Sequence, residues 1–344
     1  MTDLSTKLEI FDAITTRRNA RRGFLRFAGG SALAVGGASL LAACGSDDND
    51  LSPAPTPTPT PPPAAALNDA DVLNFALNLE YLEAQFYAFA AFGVGLNSSL
   101  LTGTGTQGAV TGGAQVPFQD TVVREYAREI AIDEVAHVAF LRSALGTAAV
   151  SQPALDISGG TAAAPGAFTS AARAAGVVTA TGVFNPYADD NSFLLGAYIF
   201  EDVGVSAYKG AAPLIANKTY LEAAAGILAA EAYHAGLIRT ILYRKGLEAP
   251  TLRTAAGQIS DARDSLDGTV TNTTTGVIGD DDQGITGSDA TVSNIVPTDA
   301  NGLAYSRSTG QVLNIVYLNK AAVAMGGFFP AGVNGNIKTS AANP

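Results

Sequence analysis

The chain contains two histidines, His137 and His234, and each follows a glutamate by three residues, Glu134 and Glu231. On a helix, residues three apart project from neighbouring turns on one face, so each pair offers a carboxylate and an imidazole to one point. Both pairs sit among apolar residues: Ile130, Val135, Phe140 and Leu141 around the first, Ile227, Leu228, Leu237 and Ile238 around the second. Glu80 and Glu201 are likewise set in the apolar runs 75–79 and 193–200. Four carboxylates buried together repel one another and lose hydration, and one or two divalent cations resolve both costs. Four glutamates and two neutral imidazoles leave a pair of divalent ions formally neutral. The expected site is therefore dinuclear, with Glu80 and Glu201 as terminal ligands, Glu134 and Glu231 as bridging carboxylates, and His137 and His234 giving one nitrogen to each metal. The competing picture, two solvated helix faces, fits poorly with the use of every histidine in the chain.

An internal repeat supplies the elements that would position these groups. Glu80 is followed seven residues later by Tyr87, and Glu201 seven later by Tyr208. Glu134, His137 and Arg142 recur with the same spacing as Glu231, His234 and Arg239. Apolar patterning and cap residues predict four helices over 72–92, 118–145, 191–212 and 218–245, the first opened by an Asn68-Asp69 cap and the last stopped by Gly246. Two short connections and one long one, 146–190, predict an all-α fold: a four-helix bundle at 67–248 with a single long crossover between the second and third helices. That crossover is expected to let the first and third helices run parallel, and the second and fourth. Residues 249–344 are rich in Gly, Thr, Asn and Asp and read as an irregular extension packing on the bundle, with one apolar run at 312–318. Within it Asp280-Asp281-Asp282-Gln283-Gly284 hints at calcium without the full EF-hand pattern, a solvated loop being the default.

Several residues flank the expected site. Glu83 competes with Glu80 one turn away, but its repeat counterpart is Gly204, which makes it the weaker candidate. Tyr87 and Tyr208 are read as outer hydrogen-bond donors or redox-active phenols, with ordinary packing as the alternative. Asp202 and Asp133 could each orient a ligand imidazole.

Composition narrows the function. A net charge of −11 argues against nucleic acid. Cys44 is the one cysteine, which excludes an intrachain disulfide and a rubredoxin-type iron site. Residues 1–43 read as an export signal: Arg17, Arg18, Arg21, Arg22 and Arg26 precede an apolar run at 28–43. The stretch Arg21-Arg22-Gly23-Phe24-Leu25-Arg26 resembles the twin-arginine signal, with Ala20 where Ser or Thr is usual. Leu41-Ala42-Ala43-Cys44 resembles the bacterial lipobox, which implies lipidation of Cys44 and attachment to the cell envelope, at the periplasmic or outer-membrane face. Residues 44–66 then hold a Pro/Thr-rich linker, a polyproline spacer reaching roughly 30 Å. The lipid is the expected membrane contact, and self-association into a homo-oligomer is compatible with the pattern.

The donor pattern of one Glu from each of two helices and Glu-x-x-His from each of two others is that of di-iron and di-manganese carboxylate bundles. With these residues the chain resembles the ferritin-like superfamily, and within it exported bacterial ferritin-like proteins related to plant desiccation-associated proteins. Leu77-Asn78-Leu79-Glu80-Tyr81-Leu82-Glu83-Ala84, Asp133-Glu134-Val135-Ala136-His137 and Glu201-Asp202-Val203-Gly204-Val205 carry the resemblance over about 70–250, with Thr298-Asp299-Ala300-Asn301-Gly302-Leu303-Ala304 and Phe328-Phe329-Pro330 in the tail. It implies two iron or two manganese ions. Twin-arginine export moves folded proteins, so the metal would be loaded before transport. Manganese catalases use a similar ligand set, and the missing Cys cluster favours self-contained peroxide or dioxygen chemistry, catalase-like or oxidase-like, over a reductase. The alternative is a non-catalytic metal-binding or desiccation-protective envelope protein.

Overall fold

The computed structural model describes residues 67–343 apart from 269, 272–277, 280, 288 and 290. Arg21, Arg22, Cys44 and Asp280 therefore lie outside the described residues. Four long helices form the bundle: α1 (Asp69–Phe92), α2 (Thr121–Leu145), α4 (Asp190–Ala211) and α5 (Lys218–Glu248). Each begins where a side chain takes up free amides of the first turn. Asn68 accepts from the amides of Ala70 and Asp71 while Asp71 accepts from the Asn68 amide, a capping box. Asp120, Asp189 and Asn217 cap the other three. α1 ends at Gly93, whose φ of 72° is left-handed.

The helices differ in how much of their surface is covered. In α1 every residue from Asp71 to Ala91 except Phe89 is buried, whereas α2 buries one stripe: Val123, Ala127, Ile130, Ala131, Glu134, Val135, Val138 and Leu141. A helix apolar on all sides needs cover on all sides. The chain's tail supplies part of it, since Asn78 Nδ2 donates to the Asn334 carbonyl and the Asn334 amide returns to Asn78 Oδ1, both at 2.9 Å.

The helix directions differ from the sequence expectation. Tyr87 contacts Glu201 while Tyr208 contacts Glu80, so α1 and α4 run antiparallel. His137 lies beside Glu231 while His234 lies beside Glu134, so α2 and α5 do as well. A crossover that travels the length of the bundle returns the chain to the end where α2 began. The third long helix therefore runs with α2 and against α1.

The crossover carries α3 (Ala167–Ala174) and a strand β2 (Leu155–Ile157), which pairs in parallel with β1 (Val110–Gly112) of the first connection. Phe168 of α3 pins the crossover down. Its ring centroid lies 5.3 Å from Phe86 of α1, 5.6 Å from Phe200 of α4 and 5.1 Å from Phe328 of the tail.

The extension is more ordered than its composition suggests. It contains α6 (Pro250–Asp267), the antiparallel ribbon β3 (Val270–Thr271) and β4 (Ile278–Gly279), and α7 (Thr309–Val316). The apolar pattern does not announce α6, because its buried positions include Ser260, Arg263 and Asp267 as well as Leu252, Ala255, Ala256 and Ile259. Gly246 does not stop α5. The helix continues to Glu248, and Gly246 is buried where a β-carbon would collide with the Arg253 side chain. The break falls at Ala249, forced out of helical geometry (φ −122°, ψ 80°) by the following Pro250, which opens α6.

Candidate metal centre

Midway along the bundle, Glu80 from α1, Glu134 and His137 from α2, Glu201 from α4, and Glu231 and His234 from α5 converge. The four glutamates are at most 1% exposed. His137 Nδ1 stands 3.2 Å from Glu80 Oε2, 3.5 Å from Glu134 Oε2 and 3.7 Å from Glu231 Oε1. His234 Nδ1 stands 3.0 Å from Glu134 Oε1 and 3.7 Å from Glu201 Oε2. The donors thus form two groups, Glu80, Glu134, His137 and Glu231 in one, Glu134, Glu201 and His234 in the other. Glu134 turns one oxygen toward each imidazole, the disposition of a bridging carboxylate. Glu231, expected to bridge as well, falls in the His137 group only.

These atoms fit a pair of cations. Ligand atoms about 2.1 Å from one ion stand roughly 3.0–3.5 Å from one another, and the imidazole–carboxylate spacings here run from 3.0 to 3.7 Å. Glu80 Oε2, Glu201 Oε2, both oxygens of Glu134 and of Glu231, and both Nδ1 atoms are buried without a hydrogen-bond partner. A native interior seldom leaves so many lone pairs unmatched in one place.

Electrostatics say the same. Burial pushes the Glu80 carboxyl up to about 7 and the Glu201 carboxyl up to about 8, against the pull of His137 and His234 respectively. Burial works against a charged imidazole too, but Glu80 and Glu134 outweigh it and carry His137 up to about 11. His234 is carried up to about 10 by Asp133 and Glu134, followed by Glu201. Glu134 shows the converse: burial raises it, yet the two imidazoles hold it well below the usual carboxylate range. Without metal, protonated imidazoles act as the cations of the cluster.

Tyr87 and Tyr208 reach across the bundle. The Tyr87 hydroxyl donates to Glu201 Oε1, and the Tyr208 hydroxyl donates to Glu80 Oε1. Each half of the repeat thereby fixes a carboxylate of the other. Glu83 is buried beside the cluster, and burial followed by the charges of Glu134, Glu80 and Glu201 pushes its carboxyl well up. Gly204, its repeat counterpart, is glycine for a packing reason: a β-carbon there would run into Glu231 Oε2 and lie 3.5 Å from Glu83 Oε1.

Asp133 lies 3.5 Å from His234 Nε2. Asp202 does not face an imidazole. It accepts from Arg239 at 2.7 Å and from Arg263 at 3.0 Å, in a second buried cluster that the sequence pattern does not reveal. Arg307 pairs there with Asp267 at 2.7 Å, Asp281 at 3.0 Å and Asp282, and Arg263 with Asp282 at 2.7 Å. Asp281 and Asp282 are thus buried ion-pair partners rather than a solvated loop, and with Asp267 they form a buried carboxylate group close enough together to hold a cation, beside the Arg307 guanidinium. No local spacing announces this cluster, because its members lie in α4, α5, α6 and two loops.

A family profile described as a ferritin-like domain matches residues 68–244. The chain is 30% identical over 283 residues to a "Ferritin-like catalase Nec2" of Nesocodon mauritianus, covering 78% of this chain and 84% of that protein. It is 30% identical over 251 residues to a "Desiccation-related protein PCC13-62" of Craterostigma plantagineum, covering 72% and 76%. No solved structure matches the chain.

Proposed function

Because the chain belongs to the ferritin-like domain family, we propose that it holds two iron or manganese ions among Glu80, Glu134, His137, Glu201, Glu231 and His234 and carries out redox chemistry on peroxide or dioxygen, with catalase-like disproportionation of hydrogen peroxide foremost. The observation that carries this is the convergence of unpartnered carboxylate and imidazole lone pairs on two adjacent points. When bound, the ion pair would supply the redox cycling and a Lewis-acidic position for a substrate oxygen. The rest falls to side chains. His137 and His234 present Nδ1, and Glu134 spans both positions. Tyr87 and Tyr208 hold Glu201 and Glu80 in place, and Glu83, its carboxyl pushed up by burial, lies next to the cluster. The apolar walls of α1 and α4 keep bulk water away, which strengthens each of these contacts. The name of the catalase relative points to the same reaction.

The test is elemental analysis of the purified full chain followed by an oxygen-electrode assay with hydrogen peroxide. Stoichiometric iron or manganese with oxygen evolution supports the proposal, and a protein that takes up neither metal overturns it. Bound metal without turnover supports a non-catalytic metal-holding or protective role, which the similarity to a desiccation-related protein favours. We further propose that residues 1–66 carry the domain to the cell envelope through the Arg21-Arg22 signal and a lipid on Cys44. Cys44→Ser should then move the protein from the membrane to the soluble fraction.

A further inference from the structure

Two metal positions built by a sequence repeat would be equivalent if the repeat were complete, and here it is not. The group at His137 gathers four protein donors, three of them carboxylates. The group at His234 gathers three donors, two of them carboxylates. Glu231 makes the difference, because Oε1 faces His137 Nδ1 at 3.7 Å while Oε2 points into the space left free by Gly204.

The two imidazoles also differ behind the cluster. His234 Nε2 has Asp133 of α2 at 3.5 Å. The repeat places Ala230 where Asp133 would recur, so His137 has no such carboxylate at that position. The His137 side chain is 12% exposed against 4% for His234. A carboxylate on the far nitrogen fixes the tautomer and raises the basicity of a ligand imidazole. Charge count at the donors sets affinity for a hard cation, and a position short of one protein donor keeps room for an outside ligand.

We propose, resting on the metal-binding reading above, that the two positions load in sequence. The position at His137 fills first on its four donors. The position at His234 fills second, is oriented by Asp133, and is the one that admits a small exogenous ligand. Asp133 is a positioning residue for that second ion.

Metal-stripped full chain titrated with Mn²⁺ tests this by calorimetry and electron paramagnetic resonance. The expected result is two resolved binding steps, with an isolated-ion spectrum at one equivalent that gives way to a coupled-pair spectrum at two. Azide should perturb the spectrum only after the second equivalent. Asp133→Ala should weaken the second step about 10–100-fold and leave the first unchanged, and Asp133→Asn should weaken it less. Asp133 is about half exposed, so neither variant threatens the fold, and circular dichroism verifies this. A coupled pair appearing from the first addition, or an Asp133→Ala effect on the first step or on neither, overturns the proposal while leaving the metal centre intact. A chain that binds no Mn²⁺ or Fe²⁺ at all overturns the metal-binding reading together with it.

Discussion

Glu80, Glu134, Glu201 and Glu231 share the bundle interior with two imidazoles, whereas Asp202, Asp267, Asp281 and Asp282 share the boundary between bundle and extension with Arg239, Arg263 and Arg307. Both groups bury several carboxylates that would repel one another if left uncompensated. In the second group the compensating charges are covalently part of the chain and permanently present, since a guanidinium does not give up its proton. In the first, histidines that can release theirs leave the cluster open to exchange protons for metal. The two clusters thus differ in the source of the compensating charge, fixed guanidinium groups in one and exchangeable protons in the other. The guanidinium groups also make the extension integral to the fold: Arg239, the repeat counterpart of Arg142, donates to the carbonyls of Gln283, Gly284 and Asn294. Arg142 instead donates to the Tyr81 hydroxyl at 2.5 Å.

The hardest way to break this comparison is to remove a permanent charge. Arg307→Leu leaves Asp267, Asp281 and Asp282 without their shared partner and should cost about 3–5 kcal/mol of stability, measured by urea unfolding. His137→Ala with His234→Ala should instead abolish metal uptake, measured by elemental analysis. Retention of two ions per chain by that double variant would show the centre to be wrongly assigned.

Chelation should separate the clusters next. Metal present at about 100 times its dissociation constant stabilises the fold by about 2.7 kcal/mol. Stripping it should lower the melting temperature of the wild type and leave that of the histidine double variant unchanged.

A pH series sharpens the contrast. His137 and His234 have folded pKa values of about 11 and about 10 against 6.5, and Glu80 and Glu201 about 7 and about 8 against 4.5. All four therefore hold more protons folded than unfolded, so their contribution to metal-free stability falls as pH rises through the folded values, while that of Glu134, held low, is constant above its unfolded value. The metal-free protein should melt lower at about pH 9 than at about pH 5. Metal affinity rises over the same range because binding releases those protons. The interval between loaded and stripped melting temperatures should widen with pH.

The smallest expected effect is that of the crossing hydroxyls. Tyr87→Phe or Tyr208→Phe removes one hydrogen bond to a buried carboxylate and should cost about 1–3 kcal/mol in the metal-free protein. The loss should shrink once metal is bound, because the ion then holds the same carboxylate.

Legibility in the sequence follows the range of the interaction. Glu134 and His137, or Glu231 and His234, share a helix face by periodicity alone, so spacing along the chain suffices to name the converging donors, and the repeat pairs the halves. The caps at Asn68 and Gly93 are equally local. Helix α6 is less so, because its buried face mixes Leu252, Ala255, Ala256 and Ile259 with Ser260, Arg263 and Asp267, whose partners lie in other elements.

The sequence by itself determined the four bundle helices, the six converging side chains and the all-α fold, because the 3.6-residue period and the chemistry of Glu and His are local properties. Tertiary structure alone decided that α1 opposes α4, that each tyrosine serves the other half, that Glu134 spans both groups while Glu231 joins one, and that Asp202 belongs to the arginines. Those outcomes depend on which distant charges and volumes meet when the crossover and extension close over the bundle, and no spacing along the chain records that.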